Sequence, residues 1–92
     1  MKRIQVTIDQ DGYELLREKG NGVFINGLRL AIQIAKRLLK ANIQLTDIDR
    51  TIKRHRHCIL IDDGAAAFLK ELGDNNLSRG IRKCAIAARM VN

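Results

Sequence analysis

Residues 3–39, RIQVTIDQDGYELLREKGNGVFINGLRLAIQIAKRLL, recur 53 positions further on as residues 56–92, RHCILIDDGAAAFLKELGDNNLSRGIRKCAIAARMVN, without a gap. Arg3, Ile8, Asp9, Leu16, Glu18, Gly20, Gly27, Arg29 and Ala35 fall on Arg56, Ile61, Asp62, Leu69, Glu71, Gly73, Gly80, Arg82 and Ala88. Other pairs keep their character, among them Val6/Ile59, Leu15/Phe68, Phe24/Leu77, Leu28/Ile81 and Lys36/Arg89. A self-match at fixed spacing marks one supersecondary unit present twice, too small to cover its own apolar face. At about forty residues, each copy is shorter than usually sustains a core alone, so the two copies are expected to share one. The chain divides into a first unit at 1–40, a connector at 41–55 and a second unit at 56–92.

Within each unit the hydrophobic period changes from strand to helix. RIQVTI alternates, so Ile4, Val6 and Ile8 share one face of a strand while Arg3, Gln5 and Thr7 share the other. Asp9 is placed to cap a short helix that carries Tyr13, Leu15 and Leu16 and stops at Gly20, read as a C′ glycine. After Gly20-Asn21-Gly22, residues 24–39 put Ile25, Leu28, Ile32, Ala35 and Leu39 on one helical stripe. Leu30, Ile34 and Leu38 widen that stripe, which predicts a helix covered on several sides. The second copy repeats the pattern: a strand at 56–61, Asp62 as cap, a helix near 63–72 ending at Gly73, and a helix from about Leu77. There Leu77, Ile81, Cys84, Ala88 and Val91 form a core stripe. The connector has a Thr46-Asp47 cap signal with Ile48 and Ile52 at helical spacing and reads as partly helical.

The 92 residues carry a net charge of +7, with 3% aromatic residues and neither Trp nor Pro. So basic a chain suits phosphate neutralisation along a duplex, and so few rings argue against a stacking platform for single strands. No apolar run is long enough for a membrane span, and Met1-Lys2-Arg3 leads into no signal-like segment, so a cytoplasmic protein without membrane contact is expected. Cys58 and Cys84 lack framework spacing and suit a reducing compartment. No carboxylate pair or activated nucleophile is evident and the chain is small for a deep pocket, so neither an enzyme nor a cofactor is expected. His55, His57 and Cys58 tempt a zinc reading, but Cys58 faces away from the two histidines on a strand, and no metal site is expected.

The alternating strand, the Asp-started short helix, the glycine turn and a second helix opening with FINGLRL (residues 24–30) or NLSRGIRK (residues 76–83) resemble the ribbon-helix-helix superfamily of the Arc and methionine-repressor type. The doubled arrangement is similar to TraY-type proteins, which carry two units in one chain. The resemblance implies a mainly α fold, β-α-α-linker-β-α-α, in which one strand from each unit pairs into a two-stranded antiparallel ribbon. It further implies a sequence-specific double-stranded DNA-binding protein, a transcriptional repressor or DNA-positioning accessory factor, with the ribbon in the major groove. The expected base-contacting residues are Arg3, Gln5, Thr7, Arg56, Cys58 and Leu60. The expected phosphate-contacting residues are Lys2, ahead of the first alternating strand, and Ile25, Asn26, Ser78 and Arg79, at the start of each second helix.

The second strand departs from the pattern. Cys58 and Leu60 replace Gln5 and Thr7, so Leu60 is left to pack on a thymine methyl, and His57 takes the place of Ile4 on the inward face, with a position near the ribbon's end expected for it. A head built from unlike strands should prefer a non-palindromic site. Arg29 and Arg82, matched but set among core neighbours, are read as structural. Self-association on DNA is a further expected interaction. The alternative function is a protein-interaction module on the same fold, an antitoxin-like or relaxosome-like adaptor whose Cys58/Leu60 strand or connector holds a protein partner.

Overall fold

A computed structural model describes residues 2–43, 45 and 54–90. The order is β1 (Lys2–Asp9), α1 (Gln10–Lys19), α2 (Phe24–Lys40), β2 (Arg54–Ile61), α3 (Asp63–Leu72) and α4 (Leu77–Met90). The described fold is mainly helical, with a two-stranded antiparallel sheet. β2 starts at Arg54, two residues inside the stretch read as connector. The cap signal Thr46-Asp47, Ile48, Ile52 and Val91 lie outside the described residues.

The strands pair within the chain. Gln5 faces Cys58, its own counterpart in the repeat, and the flanking pairs Arg3–Leu60 and Thr7–Arg56 are each other's images. The register therefore maps onto itself when the copies are exchanged, with the exchange axis at the Gln5–Cys58 rung. Period-2 geometry then divides the ribbon. Val6, Ile8, Ile59 and Ile61 are buried and Ile4 is partly buried, whereas Arg3, Gln5, Arg56, Cys58 and Leu60 are exposed and Thr7 is half-buried. Beneath the inward face, Leu16, Leu28, Ala31, Ile32 and Ala35 of the first copy join Leu69, Ile81, Cys84, Ala85 and Ala88 of the second in one apolar cluster. Each half closes the other's core.

The matched glycines end α1 and α3 as expected, but not through a left-handed C′ conformation. Gly20 and Gly73 have φ of −94° and −96°, so neither occupies the left-handed region. The turns take their left-handed residues one or two positions later, at Asn21 and Gly22 and at Asp74 and Asn75. What Gly20 and Gly73 supply is room: a Cβ on either would lie 2.0 Å from the carbonyl oxygen of Val23 or Asn76. Seven residues on, a Cβ on Gly27 or Gly80 would lie 1.5 or 2.0 Å from the Leu16 or Leu69 carbonyl oxygen. Each second helix thus rests its backbone directly on the end of the helix before it.

Two further expectations are corrected. Asp9 caps α1 through its side chain, which accepts the Gly12 N–H at 3.0 Å, but Asp62, at the same place before α3, makes no side-chain cap bond. The stripe of α2 is also narrower than its composition suggests. Phe24, Gly27, Leu28, Ala31, Ile32 and Ala35 are buried, whereas Leu30 and Leu39 remain 47% and 39% exposed, so the helix is covered on one side.

Candidate nucleic-acid interface

The outward face of the ribbon gathers all six residues expected to contact bases. They form three rungs, Arg3–Leu60, Gln5–Cys58 and Thr7–Arg56. Each end carries one arginine, and about four residues of strand, roughly 13 Å, separate the two ends. Thr7 at one end and Leu60 at the other complete an asymmetric surface. Arg and Gln present donor geometries that match guanine and adenine edges, Thr can donate or accept, and Leu60 offers only a methyl-sized contact.

The helix starts that flank the ribbon differ between copies. At α2 the N-cap Val23 makes no side-chain cap bond, and it stands 47% exposed. Asn26 is exposed and Ile25 half-buried there. At α4 Asn76 Oδ1 accepts the Arg79 N–H at 3.1 Å, and both Ser78 and Arg79 are half-buried. The Ser78 hydroxyl is already engaged: its Oγ accepts the Thr7 N–H at 3.0 Å. The side chain of Lys2 lies outside the described residues. Arg82, 9% exposed, donates from Nη1 to the Thr7 carbonyl at 3.1 Å, whereas its counterpart Arg29 is exposed.

His57 does not sit at the ribbon's end. It faces Val6 across the ribbon and lies flat on Tyr13, with ring centroids 3.9 Å apart and planes inclined by 5°. Tyr13 stacks in turn on Phe24 at 4.8 Å. When the copies are exchanged, His57, Tyr13 and Phe24 map onto Ile4, Ala66 and Leu77, so the ring stack has no aromatic equivalent. Burial, and then the neighbouring His55, lowers the His57 pKa below its ordinary 6.5, and Nε2 is buried with no hydrogen-bond partner among the described residues. Sequence periodicity could not find this stack, because His57 reads there only as a polar residue on an apolar face.

The sulfur and imidazole groups do not converge. Cys58 is exposed on the outward face, His57 lies inward on Tyr13, and Cys84 is buried in α4, where burial pushes its thiol up to about 12. Among the described residues no three His, Cys, Asp or Glu side chains could hold a metal ion together, and no helix is long and apolar enough to cross a membrane. Comparison with known protein families, with curated proteins and with solved structures finds nothing that matches this chain.

Proposed function

We propose that this chain is a single-chain pseudo-dimer of two ribbon-helix-helix units that reads double-stranded DNA by inserting the β1–β2 ribbon in the major groove, as a repressor or as an accessory factor that positions other proteins. One observation carries this reading. Pairing of the two strands within the chain buries one face against the shared core and turns Arg3, Gln5, Thr7, Arg56, Cys58 and Leu60 outward together. The groove, about 12 Å wide, admits a two-stranded ribbon. Arg3 and Arg56, roughly 13 Å apart along the strands, would meet bases about four pairs apart at about 3.4 Å per step. Gln5 would address the base pairs between them from one strand only, so the preferred site has no exact dyad.

The net charge of +7 supplies the non-specific attraction on which such recognition builds. The start of α2, with its amides uncapped by any side chain, suits a backbone phosphate better than the start of α4, where Asn76 already serves as cap. Such contacts orient the protein without carrying sequence information.

Duplex binding at two salt concentrations tests the reading. Affinity that falls steeply with salt, together with a footprint lacking two-fold symmetry, is the expected result. A second reading, the protein-interaction module, has the 50% exposed Leu60 beside exposed Cys58 in its favour. Absence of duplex affinity even at low salt would select it.

A further inference from the structure

The two edges of the ribbon are held differently. On the outer edge of β1, the Thr7 N–H donates to Ser78 Oγ at 3.0 Å and the Thr7 carbonyl accepts from Arg82 Nη1 at 3.1 Å. Ser78 and Arg82 are four residues apart on α4, so one helical turn grips both backbone groups of a single strand residue. The counterpart of Thr7 on β2 is Leu60. The α2 residues matched to Ser78 and Arg82 are Ile25, which has no hydroxyl, and Arg29, which is exposed. The repeat preserved the fold while the grip is built on one edge.

From this asymmetry we infer that Ser78 and Arg82 are positioning residues, which fix the Thr7–Arg56 end of the ribbon for base reading. The inference rests on the groove-reading function proposed above. A threonine hydroxyl sits one bond from Cβ and has almost no reach of its own, so its place in the groove is the place of its backbone. Directional contacts need placement within about 0.5 Å. Anchoring both the N–H and the carbonyl of Thr7 removes the slack of an open strand edge at a rung where a short hydroxyl side chain faces outward. Leu60, at the opposite end, offers a non-directional apolar contact that tolerates that slack. The Thr7–Arg56 end therefore discriminates between bases more sharply than the Arg3–Leu60 end, and Ser78 contributes through Thr7 instead of through a phosphate.

The test compares the full chain with its Ser78→Ala, Ser78→Thr and Arg82→Lys variants on the preferred duplex and on every single-base-pair change of it. Loss of contact in Arg3→Ala and in Arg56→Ala identifies the base pairs beneath each end. Ser78→Ala is expected to lose roughly fivefold discrimination, the worth of one hydrogen bond, beneath the Thr7–Arg56 end alone. Its salt dependence stays that of the wild type, Ser78→Thr restores the discrimination, and the Thr7 amide exchanges faster with solvent. Arg82→Lys repeats the pattern, with Ser78→Ala carrying the test should the buried substitution unfold the chain. Equal loss at all positions, with a salt slope smaller by about one, would make Ser78 a phosphate ligand and overturn the inference. Unchanged discrimination in Ser78→Ala would overturn it while leaving the DNA reading intact. A wild-type chain with no duplex affinity at low salt would remove both.

Discussion

At the scale of single residues, the outward rungs and the inward face make opposite demands, and substitutions separate them. Arg3 and Gln5 are exposed on the ribbon. Arg3→Ala and Gln5→Ala are expected to weaken binding to the preferred duplex by roughly fivefold to 150-fold, at about 1–3 kcal/mol per base contact, while the melting temperature stays within about 2 °C of wild type. A large drop in melting temperature would show that the faces are reversed. The two thiols divide in the same way. Maleimide labelling of the native chain should modify exposed Cys58 and spare Cys84, whose thiol is buried and raised to about 12, and bound duplex should protect Cys58.

His57 ties stability to pH. Its folded pKa lies below 6.5, so between the folded value and 6.5 the unfolded chain binds more protons. The stability that neutral His57 maintains above pH 6.5 is thus lost as the pH falls through that window, and the loss levels off below the folded pKa. Thermal melts from pH 7.5 to pH 5 should show a decline that is smaller in His57→Phe, which keeps a ring on Tyr13 and removes the titrating nitrogen. An equal decline in both would assign the pH dependence elsewhere.

At the scale of elements, the contact of α1 with α2 and of α3 with α4 is made backbone to backbone at Gly27 and Gly80. Gly27→Ala places a Cβ 1.5 Å from the Leu16 carbonyl oxygen, and neither partner is a flexible side chain that could swing away. The expected cost exceeds about 3 kcal/mol, beyond ordinary overpacking. Gly22→Ala is the control: φ is +93° but nothing lies within 4 Å, so only the left-handed strain of about 1 kcal/mol is expected. Denaturant midpoints of the two variants check the difference. The second copy adds a bond the first lacks, from Lys83 Nζ to the Leu72 carbonyl at the end of α3. At the matched position the first copy has Leu30, which is left exposed.

At the scale of the whole molecule, joining the copies changes what folding requires. Two separate ribbon units must meet before either can bury its strand, whereas here β1 and β2 pair inside one chain and their inward residues enter one cluster. Folding is expected to be unimolecular, with a melting temperature unchanged over a hundredfold range of protein concentration. A rise with concentration would show that the folded state depends on association between chains. Covalent joining also allowed the copies to diverge, since a self-complementary dimer would force every change onto both strands at once. The aromatic stack, the one-sided grip on Thr7 and the unequal helix caps are all differences of that kind.

The repeat and its two hydrophobic periods determined the element order, the approximate boundaries and which side of each strand turns inward. Those properties follow from local geometry, since alternate strand residues point oppositely whatever lies beyond them. Tertiary structure alone decided the rest: that the strands pair with each other in a register centred on Gln5 and Cys58, that the matched glycines admit a neighbouring backbone instead of a left-handed turn, and that His57 lies flat on Tyr13. It also turned Leu30 outward and Ser78 toward Thr7. Each depends on which atoms of a distant segment arrive at a given side chain, and a period along the chain carries no information about distance across it.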